Sequence, residues 1–294
     1  MPTDLMGLVL ITFLGAFVNG ALGYGFSSVT LPVALIYYTN KALNPALVIV
    51  EVILNGYVLF IHRKSVPNVW RRVFPIFFGL IPAILLGSYL LSVIRADVLK
   101  LFIYVILIPL ILFQAAGIRW PIRSEKKFLP PLGIGVGILY SLTTVSGPPL
   151  ALFLNNQGFS KNDFKAALGL IRLIQAIMTA SAYFYMGLYQ KSHLNLSLFI
   201  LPGILIGIPI GASVVRSVGT ETFRRIAMSF DSWIVSFGLA RLLVSLHLFS
   251  KGFSYGGMSA VVGIDLFLLT RFFIKKKRQL AAMSDTPFRD GSVV

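Results

Sequence analysis

The stretch Gly20-Ala-Leu-Gly-Tyr-Gly-Phe-Ser-Ser-Val-Thr-Leu-Pro32 breaks an otherwise continuous apolar run, "LMGLVLITFLGAFVNGALGYGFSSVTLPVALIYY". Three closely spaced glycines, three hydroxyl side chains and a proline are poor material for the middle of a membrane helix. A second break, Thr143-Thr-Val-Ser-Gly-Pro-Pro149, has the same arrangement: an apolar arm, a Gly/Ser/Thr interruption, then a shorter arm starting at proline. The two regions span residues 5–40 and 129–157. How they are read decides the fold.

The surrounding composition is that of an integral membrane protein. Of 294 residues, 56 % are hydrophobic and 12 % charged, whereas soluble domains carry roughly 25 % charge. The mean hydropathy is +0.84. Residues Met1 to Asp4 lack a basic n-region, so the first segment is expected to remain in the protein rather than to be removed as a signal. The net charge of +16 lies in short connections between apolar segments. It reads as a topology signal and as contact with the lipid bilayer, not as a nucleic-acid surface. There is no cysteine, which excludes thiolate metal sites, disulfides and thiol catalysis.

The pattern predicts an all-α polytopic membrane protein built from two homologous repeats. Repeat 1, residues 1–118, holds the 5–40 region and helices over 44–62, 73–94 and 97–117. A basic cytoplasmic linker over 119–128 leads to repeat 2, residues 129–249, with the 129–157 region and helices over 162–187, 194–217 and 222–249. An extra helix over 250–274 and a disordered basic tail over 275–294 follow. Self-similarity continues past the breaks, as an internal repeat requires. Pro45-Ala-Leu-Val-Ile-Val-Glu51-Val-Ile-Leu-Asn55 aligns with Ala166-Ala-Leu-Gly-Leu-Ile-Arg172-Leu-Ile-Gln175-Ala, and Pro75 and Pro82 with Pro202 and Pro209.

If each broken region is a re-entrant hairpin, the loop charges separate. Nearly all basic loop residues, among them Arg71, Arg72, Lys161, Lys165 and Lys275 to Arg278, then share one side, and the other keeps only Lys41, Arg95, Lys100, Lys191 and Lys251. The positive-inside rule makes the first side cytoplasmic, with the N-terminus outside and the C-terminus inside. Each repeat then has one hairpin and three crossings, an odd number, so the halves are inverted, a recurrent transporter design. If each region instead crosses once, the charges divide almost evenly.

Non-helical backbone at membrane depth must be enclosed by protein or a water-filled cavity, so the two breaks are expected to meet inside the molecule. Short arms over about residues 31–40 and 148–157 would be roughly 15 Å long, placing their starts near the midplane. A helix start offers free N–H groups to an anion. Gly23, Gly25 and Gly147 let backbone approach a ligand, and Ser27, Ser28, Thr30, Thr143, Thr144 and Ser146 add hydroxyl donors. The alternative is that the glycines serve packing and the prolines bend helices.

Glu51, Arg172, Asp231, Arg241 and Asp265 are ionisable residues inside apolar segments, where such groups are costly and point to function. Glu51 and Arg172 hold equivalent repeat positions, with Asn55 and Gln175 about one turn along. Arg172 suits an oxyanion through its planar guanidinium. Glu51 is then either a proton-coupling acid or a structural partner of Arg172. Asp231 and Arg241 are expected to form a buried structural pair or to meet neighbouring helices. The three histidines lack ligand spacing, so no metal is expected, and no nucleotide or cofactor motif is present.

Gly23-Tyr-Gly25-Phe-Ser-Ser-Val-Thr-Leu-Pro32 and Ser146-Gly147-Pro148-Pro149-Leu-Ala-Leu-Phe-Leu-Asn-Asn-Gln-Gly158 together resemble the TauE/SafE family over about residues 5–249. Many members carry a continuous glycine run where this chain has Gly-Tyr-Gly. The resemblance implies a bacterial inner-membrane permease, not an enzyme, that moves sulfite or an organosulfonate; a passive small-anion channel is the alternative. Protons are the candidate coupling ion.

Because the chain is cysteine-free, single cysteines test the hairpins directly. A membrane-impermeant maleimide is expected to label Lys41→Cys in intact cells and Lys161→Cys only after permeabilisation; labelling of both from one side refutes the hairpin topology.

Overall fold

The computed structural model of the protein describes residues 2–116, 125–155 and 157–284. Among these residues it is entirely helical: α1 (Pro2–Leu22), α2 (Phe26–Ala34), α3 (Asn40–Ile61), α4 (Val66–Val73), α5 (Ile76–Val93), α6 (Ala96–Ala116), α7 (Glu125–Thr143), α8 (Gly147–Asn155), α9 (Lys161–Tyr185), α10 (Lys191–Val218), α11 (Thr220–Ser245) and α12 (Lys251–Ser284). Seven of them, α3, α5, α6, α9, α10, α11 and α12, are long and apolar enough to cross a membrane. These are the seven spans that hydropathy predicts. The chain breaks between α1 and α2 and between α7 and α8, at the two quoted motifs.

Several boundaries differ from expectation, each for a local reason. The first short arm begins at Phe26, with Pro32 inside it, because Gly25 starts the helix and the proline falls near its last turn. The connection after α3 is ordered as a 3-10 turn, Arg63–Ser65, and the short helix α4. Val69 and Val73, four residues apart, are buried there, while Arg71 and Arg72 lie on other faces. The first turn of α7 takes up residues 125–128 of the expected linker; the rest of it, 119–124, lies outside the described residues. The expected disordered tail is helical as far as Ser284, since Lys, Arg, Gln, Leu and Ala extend a helix already nucleated by apolar residues. Residues 285–294 of that tail lie outside the described residues.

Two helix pairs make the most extensive contacts, α5 with α7 and α1 with α10. In both, glycine brings backbone against backbone. A Cβ on Gly79 would collide with the Pro130 carbonyl, and one on Gly133 with that of Ile76. In the other pair, a Cβ on Gly20 would collide with the Ile208 carbonyl and one on Gly211 with that of Phe17. Lipid offers no hydrophobic drive for helix association, so such close packing is what holds membrane helices together. Between these seams, α3 packs on α9 and α6 on α11.

The first short arm packs on the long arm before it, α2 on α1. A Cβ on Gly15 of α1 would lie 2.7 Å from the Phe26 carbonyl of α2, and one on Gly25 would lie 2.7 Å from Cγ1 of Val18. Phe128, in the first turn of α7, stacks on Phe153, near the end of α8, with ring centroids 5.7 Å apart. The helix α12 is peripheral, with 6 % of its apolar span buried. It is fastened to α11 by Asp265, which is fully buried and accepts from Arg225 Nη2 at 2.9 Å and Trp233 Nε1 at 3.1 Å.

The seams predict a sharp contrast among glycines. Gly79→Ala and Gly211→Ala should each cost about 1–3 kcal/mol through overpacking, lowering the thermal unfolding midpoint in detergent. Gly135→Ala, whose Cβ would meet nothing within 4 Å, should leave that midpoint unchanged or raise it.

Candidate functional site

The two breaks are built alike. The last turn of α1 closes with Gly23 N–H donating to the Asn19 carbonyl at 2.6 Å, and α7 closes with Thr144 N–H donating to that of Tyr140, also at 2.6 Å. Both residues then take positive φ, +83° at Gly23 and +57° at Thr144. For glycine this is unstrained, whereas a β-branched threonine there stores about 1–3 kcal/mol. Local bonds hold the second loop. Thr143 Oγ1 donates to the Leu139 carbonyl at 2.5 Å and accepts from Val145 N–H at 2.9 Å, and Thr144 Oγ1 donates to the Thr143 carbonyl at 2.6 Å. Gly25, with φ +106°, starts α2. The breaks touch: a Cβ on Gly147 would lie 2.9 Å from Cβ of Tyr24. Every residue from Ala21 to Pro32 and from Leu139 to Pro148 is buried, so protein encloses the interrupted backbone.

Beside this junction lies a polar cluster centred on Glu51. Arg172 Nη2 donates to Glu51 Oε1 at 2.8 Å, and both side chains are sealed from solvent, at 1 % and 0 % exposure. Ser27, second residue of α2, donates to the same oxygen at 2.5 Å. On Oε2 the carboxylate accepts from the Tyr140 hydroxyl at 3.1 Å and from Asn55 Nδ2 at 3.3 Å. Four donors from α2, α3, α7 and α9 therefore converge on one carboxylate. Next to it, Ser146 donates to Gln175 Oε1 at 2.8 Å, and Gln175 Nε2 donates to the Val136 carbonyl at 3.3 Å. The end of α7 is tied to α3 by Asn40 and Asn44, whose Nδ2 groups both donate to the Leu142 carbonyl at 2.5 Å.

Ser27, Glu51, Asn55 and Arg172 thus meet in one cluster, and Ser146 and Gln175 form a second pair beside it. Thr143 and Thr144 spend their hydroxyls on their own loop, and Ser28 donates to the Gly25 carbonyl at 3.1 Å. Thr30 Oγ1 is buried with no hydrogen-bond partner among the described residues. The same holds for Arg172 Nε and Nη1, the Tyr24 hydroxyl and the Asn19 amide. The expected Asp231–Arg241 pair does not form: Arg241 is exposed, and Asp231, ten residues earlier on α11, is buried. The buried pair of this region joins Arg225 to Asp265 instead.

Sequence reasoning missed Tyr140, Tyr24 and Lys165. Tyr140 lies one turn before the second break, where only its hydroxyl distinguishes it from the apolar residues around it. Lys165, expected at a cytoplasmic loop, is half-buried with its stem against the first break, Cγ lying 3.5 Å from a Cβ built on Gly23. His62, just beyond α3, is held below the ordinary imidazole value by burial and then by the charge of Lys165. Among the described residues no group of His, Asp and Glu is arranged to hold a metal. A groove of about 450 Å³ on the surface, lined by Gly56, Leu59, Phe60, Arg63, Val66 and Pro67, shares no residue with the cluster.

The cluster aims a guanidinium, two hydroxyls and an amide at the one carboxylate of Glu51. Its stability depends on charge balance: Arg172→Ala strands the Glu51 carboxylate and should cost about 3–5 kcal/mol. Adding Glu51→Gln to that variant should restore much of the loss, which thermal unfolding of the four proteins of the double-mutant cycle will show.

No curated protein and no solved structure matches the chain. A family model, described as sulfite exporter TauE/SafE, matches residues 8–235. That match takes in both breaks, Glu51, Arg172 and all but the last turns of α11, so this multi-pass membrane protein belongs to the TauE/SafE sulfite exporter family.

Proposed function

We propose that the protein is a secondary transporter that moves a small sulfur-containing oxyanion, sulfite or an organosulfonate, through a site between the two broken helices. The observation that carries this reading is Arg172: a guanidinium sealed inside apolar helices, with one nitrogen on Glu51 and two without partners among the described residues. Buried arginine donors suit a compact oxyanion. The starts of α2 and α8 would add donors: Ser27 already reaches Glu51, and Ser146 reaches Gln175, one turn along α9 from Arg172.

The architecture follows the same reading. Each broken segment is a hairpin, α1 with α2 and α7 with α8, in an inverted pair of repeats. The packing of α2 on α1 and the stacking of Phe153 of α8 on Phe128 of α7 support this. So does the exchange of partners, in which the first helix of each hairpin packs along a crossing helix of the other half, α1 on α10 and α7 on α5. Such inverted repeats with interrupted helices at the substrate site recur among transporters. The N-terminus then lies outside and the C-terminus in the cytoplasm of a bacterial inner membrane.

Glu51 has two successive tasks. In the closed, empty state its carboxylate neutralises Arg172. When an oxyanion takes over the guanidinium, Glu51 must leave the pair or take a proton, since an unpaired ionised carboxylate is not tolerated there. One proton then accompanies one monovalent anion. The site imposes no direction, which the anion and proton gradients set.

Labelled sulfite or taurine-like sulfonates in proteoliposomes test this. Flux is expected to saturate with concentration and to run faster toward the alkaline side of a pH gradient. Arg172→Ala should reduce it at least about tenfold, a loss of more than 1.4 kcal/mol of binding; Arg172→Lys should retain part of it, and Glu51→Gln should remove the response to pH. Full flux in Arg172→Ala, or no flux of any sulfur oxyanion, refutes the site; non-saturating conductance identifies a channel instead.

A further inference from the structure

Two buried carboxylates flank the first break in opposite surroundings. Ser27 donates to Glu51, which has four donors. The next residue, Ser28, lies beside Asp231 of α11. Asp231 is 1 % exposed, and neither of its oxygens has a hydrogen-bond partner among the described residues. It sits near the middle of α11, which packs on α1, α2, α6, α10 and α12.

The groups on those elements offer it no countercharge. From the α1–α2 junction come Ser28 and Tyr24, whose buried hydroxyl is within electrostatic reach of Asp231. Tyr104 of α6 donates instead to the Pro32 carbonyl at 3.0 Å. Asp265 of α12 is taken by Arg225, and Arg224 by Glu221 at 2.6 Å. Arg216 of α10 and Arg241 of α11 are exposed. An ionised carboxylate in such a place would be uncompensated, and buried groups in that position neutralise instead.

We infer that Asp231 is a proton-binding site: buried without a hydrogen-bond partner or a countercharge among the described residues, it carries a proton in this conformation. The assignment goes beyond the transport reading and does not depend on which anion is carried.

Infrared spectroscopy of the purified full-length protein at neutral pH tests it without any transport assay. A carbonyl band of a protonated carboxyl is expected in the wild type. It should be lost in Asp231→Asn and retained in Glu51→Gln and Asp265→Asn. Should Asp231→Asn fail to fold, the wild type decides alone, and Asp231→Glu should shift the band. Absence of the band in the wild type, or its loss in Glu51→Gln instead, overturns the inference. A band present in choline chloride but removed by sodium chloride also overturns it, assigning Asp231 to a metal cation.

Discussion

A glutamate and an arginine facing each other where no water reaches set the terms for the rest of this structure. Each ion alone would cost several kcal/mol to remove from water, and their attraction offsets that only when geometry and further hydrogen bonds are good. Here the carboxylate is supplied by α3 and the guanidinium by α9, and the remaining acceptor capacity is filled by Ser27, Tyr140 and Asn55. Ser27 comes from the start of α2, just past the break at Gly23 to Gly25, and Tyr140 from the last turn of α7, so both interruptions border the ion pair.

Those interruptions in turn demand shelter, and the glycine seams provide it. A long arm that stops inside the membrane has lost the packing area of a full span. The α1–α10 and α5–α7 contacts compensate by bringing backbones together at Gly20, Gly211, Gly79 and Gly133. The same small residues that weaken a helix in isolation thus fix the arms that carry the breaks. At the second break the sequence accepts strain, with Thr144 at positive φ held by its own hydroxyl and by Thr143.

Much of this is legible in the sequence, for reasons that can be named. Apolar runs against polar gaps locate the seven long spans, because hydrocarbon tolerates little else. The pairing of Glu51 with Arg172 is one of the two roles the sequence leaves open for Glu51, and the cost of unpaired buried charge makes them meet. What escapes is set by three-dimensional direction. Ser27 and Ser28 are adjacent and identical in type, yet one faces Glu51 and the other Asp231. Tyr140 enters the cluster through an orientation that no spacing rule encodes. Asp231 and Arg241 look like a pair in a list of charges, but ten residues of helix separate them by roughly 15 Å. The basic run at Lys275 resembles a solvated tail and instead continues α12.

A site whose resting occupant is its own carboxylate has a consequence for affinity. On the proposed reading, an incoming oxyanion does not meet a bare guanidinium; it must replace Glu51, so its net affinity is the difference between two charged interactions. An unpaired buried arginine would hold an anion tightly and release it slowly. The internal competitor lowers that hold and keeps the empty protein stable enough to return, which a carrier needs on every cycle. The same competition favours ligands with more acceptor oxygens than a carboxylate, because only they can use Arg172 Nε and Nη1 together with the donors that Glu51 gives up.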